Sequence, residues 1–197
     1  MGVIVGLAVP NLPLAPGQYD RSYHNQFSNS LRLFFNQIAS ALNSPTPHAS
    51  YYDTTTQTNP VADSVNLFSY DSVVSEFQIA RGIPATKIIV NEAGMYNFQF
   101  SAQLDKTGGG ATDVFIWARV NGTNVPYSTT KVVIDGPNNE IVPSWNFLLD
   151  MDSGDYFELA WQSPDTNVVI ASAAAASNYP ETPSIIMTVV RVSNYES

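Results

Sequence analysis

Cysteine is absent from this 197-residue chain, so it has neither a disulfide framework nor a thiolate metal site. Basic residues are scarce: 8 Lys and Arg stand against 17 Asp and Glu, for a net charge of −9. They form no cluster, and nucleic-acid binding needs Lys and Arg to neutralise phosphates, so DNA and RNA are not expected partners. The same acidity opposes docking on an anionic membrane. No apolar run approaches the roughly 20 residues of a membrane-crossing helix. Charged residues of both signs make up only 13%, about half the share of an ordinary soluble domain. Histidine occurs twice, at His24 and His48, with no motif around either. A Gly-x-Ser-x-Gly elbow and a phosphate-binding Walker loop are both missing.

What the chain does have is alternation. From Gly94 to Leu104, Tyr96, Phe98, Phe100, Ala102 and Leu104 fall on one side, and Asn97, Gln99, Ser101 and Gln103 on the other. A period of two is the mark of a half-buried β-strand. Further runs predict strands near 64–70, 76–80, 87–90, 94–106, 112–121, 129–135, 140–151, 155–162, 167–173 and 184–193. The turns between them carry Gly, Pro, Asn and Asp, as in Asn121-Gly122 and Asp152-Ser153-Gly154-Asp155. Many short strands at regular spacing predict an all-β, two-sheet jelly-roll sandwich of about ten strands.

The first third is organised differently. Residues 1–17 form an apolar, proline-punctuated arm with Val3, Ile4 and Leu7, then Pro10, Pro13 and Pro16. Proline at this density favours extended backbone. The arm either packs on its own domain or lies across a neighbouring subunit, and both readings stay open. Its N-terminus lacks the basic flank of a signal peptide, so synthesis in the cytoplasm of the producing cell is expected. Residues 18–44 read as one amphipathic helix, because Tyr19, Tyr23, Phe27, Leu31, Phe34, Phe35, Ile38 and Leu42 recur at spacings of three and four. The stripe is richer in aromatics than a helix resting on its own sheet needs. It is therefore expected to anchor the chain to a partner or to self-associate around a threefold axis, with packing on its own domain as the alternative. Residues 45–60 read as a polar linker, within which Tyr51 and Tyr52 mark the start of a first strand, and 61–197 as the jelly roll.

Several strands are apolar on both sides. Val114-Phe115-Ile116-Trp117-Ala118 is one, Ile185-Ile186-Met187 another, and Trp145, Phe147 and Leu149 oppose Val142 and Leu148 in a third. A sandwich sheet ordinarily has one dry and one wet face. With no later helix to cover the second face, the expectation is cover by further copies in a symmetric oligomer. Phe98, Phe115, Trp117, Trp145, Phe147, Tyr156, Phe157 and Ile186 are the candidate core or interface residues.

These runs resemble the globular-head jelly roll shared by complement and tumour-necrosis-factor-like proteins, in its bacteriophage form. Gly94-Met95-Tyr96-Asn97-Phe98 looks like the family's Gly-x-Tyr-x-Phe strand. Val114 to Thr123 looks like its next strand and hairpin, and Gly154-Asp155-Tyr156-Phe157-Glu158-Leu159 like its later one. The resemblance covers roughly 51–192. It implies a compact homotrimer. It also implies a place in a virion as a capsid-decoration protein or short fibre, anchored to a capsid or tail protein through the arm and helix. The alternatives are a tip that binds a host surface glycan or protein and, least favoured, a polysaccharide-degrading enzyme. The resemblance implies no cofactor.

Other residue sets point to no chemistry. Asp150, Asp152 and Asp155 look superficially like a calcium loop but lack its spaced ligands and closing Glu, so a tight acidic turn is expected. Paired acids for glycoside cleavage would have to be drawn from Asp113, Glu140, Asp150 and Glu158. Tyr127 and Tyr179 sit in loops, where a tyrosine offers a flat apolar face and a hydroxyl to a ligand. Capping the ends of the sandwich is their preferred role.

Overall fold

The computed structural model describes residues 10–43 and 45–193, the side chains of 41–43 excepted. The chain divides into two compact units, Met1–Thr46 and Pro47–Ser197.

In the first unit, α1 spans Arg21–Asn43. Its start is set by Asp20, whose carboxylate accepts the Ser22 N–H at 2.8 Å, satisfying one of the amides a helix N-terminus leaves unpaired. Tyr23, Phe27, Leu31, Phe34 and Ile38 are half-buried along one stripe, whereas Tyr19, Leu33 and Phe35 are exposed. Arm residues Asn11–Leu14 and helix residues Gln26, Asn29, Ser30 and Leu33 line a cleft of about 660 Å³. Val3, Ile4 and Leu7 lie outside the described residues.

The described residues of the second unit contain sixteen strands: β1 (His48–Asp53), β2 (Gln57–Thr58), β3 (Asn66–Leu67), β4 (Ser72–Phe77), β5 (Ile79–Arg81), β6 (Ile88–Val90), β7 (Gly94–Ala102), β8 (Leu104–Lys106), β9 (Thr112–Val120), β10 (Thr123–Asn124), β11 (Thr130–Ile134), β12 (Asn139–Ile141), β13 (Ser144–Met151), β14 (Tyr156–Gln162), β15 (Val168–Ile170) and β16 (Ile185–Ser193). Every pairing among them is antiparallel. One sheet runs β13-β7-β16-β1-β4. A second runs β10-β9-β14-β6-β5, with β11 beside β9 and β3 beside β14. A third, β12-β8-β15-β2, repeats the order of the first in neighbouring chain segments. It is thus the same row of strands continued past a break at Gln103 and Pro143. The architecture is the expected all-β jelly-roll sandwich.

Strand β7 alternates as its sequence requires, burying Tyr96, Phe98, Phe100 and Ala102. Across the sandwich β14 buries Phe157, Leu159 and Trp161. Phe98 stacks on Phe157, with 4.1 Å between centroids and 14° between ring planes, joining the two sheets through the core. Gly94 begins β7 where a Cβ would come within 2.6 Å of the Ser193 carbonyl, so only glycine fits. The β9–β10 turn carries positive φ at both Asn121 and Gly122, as a two-residue hairpin demands.

The polar segment 45–60 is not a linker. It holds β1, which pairs with β16 and β4 inside the first sheet. Its alternation is hidden because Ala49, Tyr51 and Asp53 are the inward residues. Asp53 is tolerated there because it accepts hydrogen bonds from Thr55 and Ser69.

Candidate interaction face

The register of the first sheet assembles its outward side into three rungs of five residues. One rung is Ser144–Ser101–Ile186–Tyr52–Ser72, the next Asn146–Gln99–Thr188–Ser50–Ser75, and the third Leu148–Asn97–Val190–His48–Phe77. No Asp, Glu, Lys or Arg stands in these rungs. Only at the margin does a carboxylate enter, with Asp150 opposite Met95. The rungs are short hydroxyls and amides, interspersed with aliphatic and aromatic side chains. Ile186 is 41% exposed and Leu148 57%. Asn146 donates to the Asn97 side-chain carbonyl at 2.8 Å, and the His48 ring lies 3.1 Å from the Ser75 hydroxyl. Such depletion of charge distinguishes the centre of protein interfaces from ordinary surface.

The outward side of β9 and β14 also carries large residues, but most of it is covered by the same chain; on neighbouring β11 Val133 stays 51% exposed. Trp117 is only 7% exposed. Its indole N–H donates to the Asn124 side chain at 2.8 Å, and the loop that follows is pinned by Ser128, whose hydroxyl accepts the Ala118 N–H. Ala160, paired with Trp117 and with Leu67 on β3, is buried. Beyond it Glu158 is buried beside Arg119, 3.7 Å away, and Thr86 donates to its carboxylate. Lys131 pairs with Asp113 at 3.4 Å, and Lys87 sits over the Tyr156 ring at 4.2 Å. For β9, therefore, cover by another copy is not required: its own loops seal it.

The other candidates are placed plainly. Phe98 and Phe157 are core, Phe147 is buried, and Trp145 packs half-buried against the core. Phe115 and Tyr156 are half-buried on the sealed face. Tyr127 is fully exposed and Tyr179 largely so, so neither caps the sandwich. The reason is local. Tyr127 has a positive φ that turns it outward, and Tyr179 belongs to a projecting segment.

The acidic turn forms as expected: the Asp155 carboxylate accepts the Asp152 N–H and the Asn121 amide. Asp113 and Glu158 each have a basic partner, and Glu140 and Asp150 lie on β12 and β13. Among the described residues no group of three or more His, Cys, Asp or Glu is placed to hold a metal ion. No helix among them is long and apolar enough to cross a membrane. Burial pushes the Tyr70 hydroxyl far above its ordinary pKa, with the nearby Asp53 charge adding to the effect, so it stays neutral.

Lys106, wholly buried, is neutralised by Asp165. The hydrogen bond from Lys106, then the Asn167 backbone N–H, hold the Asp165 carboxyl below the usual carboxylate range. Gly109 passes over this pair where a Cβ would lie 3.0 Å from the Asp165 carboxylate, which gives one of the three consecutive glycines a steric purpose.

Sequence reasoning missed the projecting segment between β15 and β16. The only signal for it was the run Ala173–Ala176, which follows neither strand nor turn patterning.

No protein-family model matches the chain, and no curated protein matches it. Among solved structures it is similar to murine APRIL, crystallised at pH 5.0, a jelly roll of the tumour-necrosis-factor family. The identity is 8% and the TM-score 0.48, over 75% of this chain and all of that one.

Proposed function

We propose that this chain is a non-enzymatic structural protein that assembles as a homotrimer through the charge-free face of its first sheet. The arm and α1 attach it to a larger particle. The resemblance of its strands to the bacteriophage form of the jelly roll supports reading that particle as a phage virion, and the chain as a capsid-decoration or short-fibre component bound to a capsid or tail protein. The observation that carries the reading is the contrast between a sealed, ion-paired face and an open face without charge. In a domain with 16 acidic and 6 basic residues from 47 onward, a face without charge is where like-charged copies meet with least repulsion. Apolar area buried there is worth about 25 cal/mol per Å², offset by the cost of association.

The test is removal of residues 1–43. The remaining domain should keep its assembled mass in solution and lose binding to particles. Full binding by the truncated protein would refute the anchoring role, and a monomeric full-length chain at micromolar concentration would refute the assembly.

A second reading, a tip that recognises a host surface glycan or protein, is favoured by the exposure of Tyr127 and Tyr179. It predicts saturable binding to host cells that is lost in Tyr127→Ala or Tyr179→Ala.

A further inference from the structure

Strands β15 and β16 occupy one slot in the row of strands. The Ala171 N–H donates to the Gln103 carbonyl at 2.7 Å, and the Gln103 N–H donates to the Ser184 carbonyl at 2.8 Å. The chain thus leaves the sheet and re-enters it on either side of a single residue. A short turn would complete the sandwich. Instead residues 172–183 project as a finger, held by the bridges Ala173↔Thr182 and Ala176↔Tyr179 and fastened at its root by the Ser172 N–H donating to Thr56.

From Ala173 to Glu181 the finger is exposed throughout. It carries four consecutive alanines, Tyr179-Pro180 and one charge, Glu181. Finger and sheet enclose a cleft of about 770 Å³, with Tyr52, Val74 and Ile186 on the sheet side and Ala173, Glu181 and Pro183 on the finger side. Tyr52 and Ile186 are also members of the first rung, so the cleft is continuous with the charge-free face. No Lys or Arg lines it to receive an anion. An excursion that the sandwich does not need, nearly uncharged and fully exposed, has the character of a functional loop on a rigid scaffold.

We propose that the finger is a clasp between subunits. An uncharged segment of a second copy of this chain enters the cleft, and the finger closes over it. The inference rests on the assembly reading above and adds which element holds the copies together. Charge favours a second copy as the occupant: finger and cleft contribute one carboxylate, Glu181, and the face one at its margin, Asp150, whereas the domain from residue 47 onward carries 16 acidic against 6 basic residues.

Because Ala173 and Thr182 are already bridged, residues 174–181 can be replaced by Asn-Gly to close a tight hairpin. The expected result is a fall from assembled to monomeric mass at about 10 µM, with circular dichroism unchanged and an unfolding temperature equal to that of the monomer made by Thr188→Glu. In a second experiment Ala175→Cys introduces the chain's one thiol. Its maleimide labelling should be about tenfold slower in the assembled protein than in the same variant dissociated by Thr188→Glu. An excised variant that assembles as tightly as the parent, or equal labelling rates, would overturn the clasp while leaving the assembly standing. A parent that is itself monomeric would overturn both.

Discussion

Strands β9 and β16 both carry apolar residues at odd and even positions, yet their second faces meet different fates. Beside β9, the loop after β10 covers Trp117, and the polar groups around it are ion-paired within the chain. Beside β16, Ile186 is 41% exposed and Val190 half-buried, in rungs that hold no Asp, Glu, Lys or Arg. The lesson is that apolarity on both faces of a strand does not by itself mark an interface. The interface we propose is the face where apolarity remains exposed and charge is missing.

Four experiments break or sharpen this contrast. The largest effect on folding is expected from Trp117→Ala, which should destabilise the domain by about 3–5 kcal/mol in denaturant titration without changing the assembled mass. A change in oligomeric state at full stability would mean that the sealed face is an interface after all. Next, Asp165→Asn leaves Lys106 buried and unpaired. We expect about 3 kcal/mol of destabilisation, the low end for a broken buried pair because Asp165 is partly exposed, and no change in subunit affinity. Third, Thr188→Glu places a like charge at the centre of the open face. It should weaken assembly on the order of 100-fold by sedimentation, with monomer stability altered by about 0.5 kcal/mol. Gln162→Glu on the sealed sheet is the matched control and should leave affinity unchanged.

The smallest effect concerns acid. The folded Asp165 carboxyl titrates below its unfolded value of about 4. Its contribution is therefore fully present above that value and is lost as pH falls through the depressed folded one. The stability gap between the parent and Asp165→Asn should be constant above about pH 5 and narrow below about pH 4. A gap that stayed constant down to pH 2 would show that the carboxyl is not held by Lys106.

The fold class was legible because long strands such as β7 obey the period of two over nine residues. The helix was legible because its stripe obeys the helical period. Segment 45–60 was misread because β1 hides an inward Ala49 and a buried, hydrogen-bonded Asp53 in a polar run. The predicted strand over 140–151 is two, since Pro143 interrupts the ladder between β12 and β13. Of the open face only the aliphatic members could be guessed. Its defining property, absence of charge, appears when five strands distant in sequence are set in register. The finger was illegible because alanine runs follow no strand period, and only the hydrogen bonds of Gln103 reveal that the excursion is dispensable to the sandwich.

The domain also has a polarity. The carbonyl of Pro47, where the N-terminal unit joins, accepts the Arg191 N–H near the close of the last strand. Entry and exit of the chain therefore share one pole. The glycines after Lys106 and the turn before Asn139 cap the other, where β8 and β12 end together. The chain thus enters the domain at Pro47 and leaves it after Arg191 on one side, and a peptide grafted between Gly108 and Gly110 would point the opposite way, which makes the domain a natural platform for display.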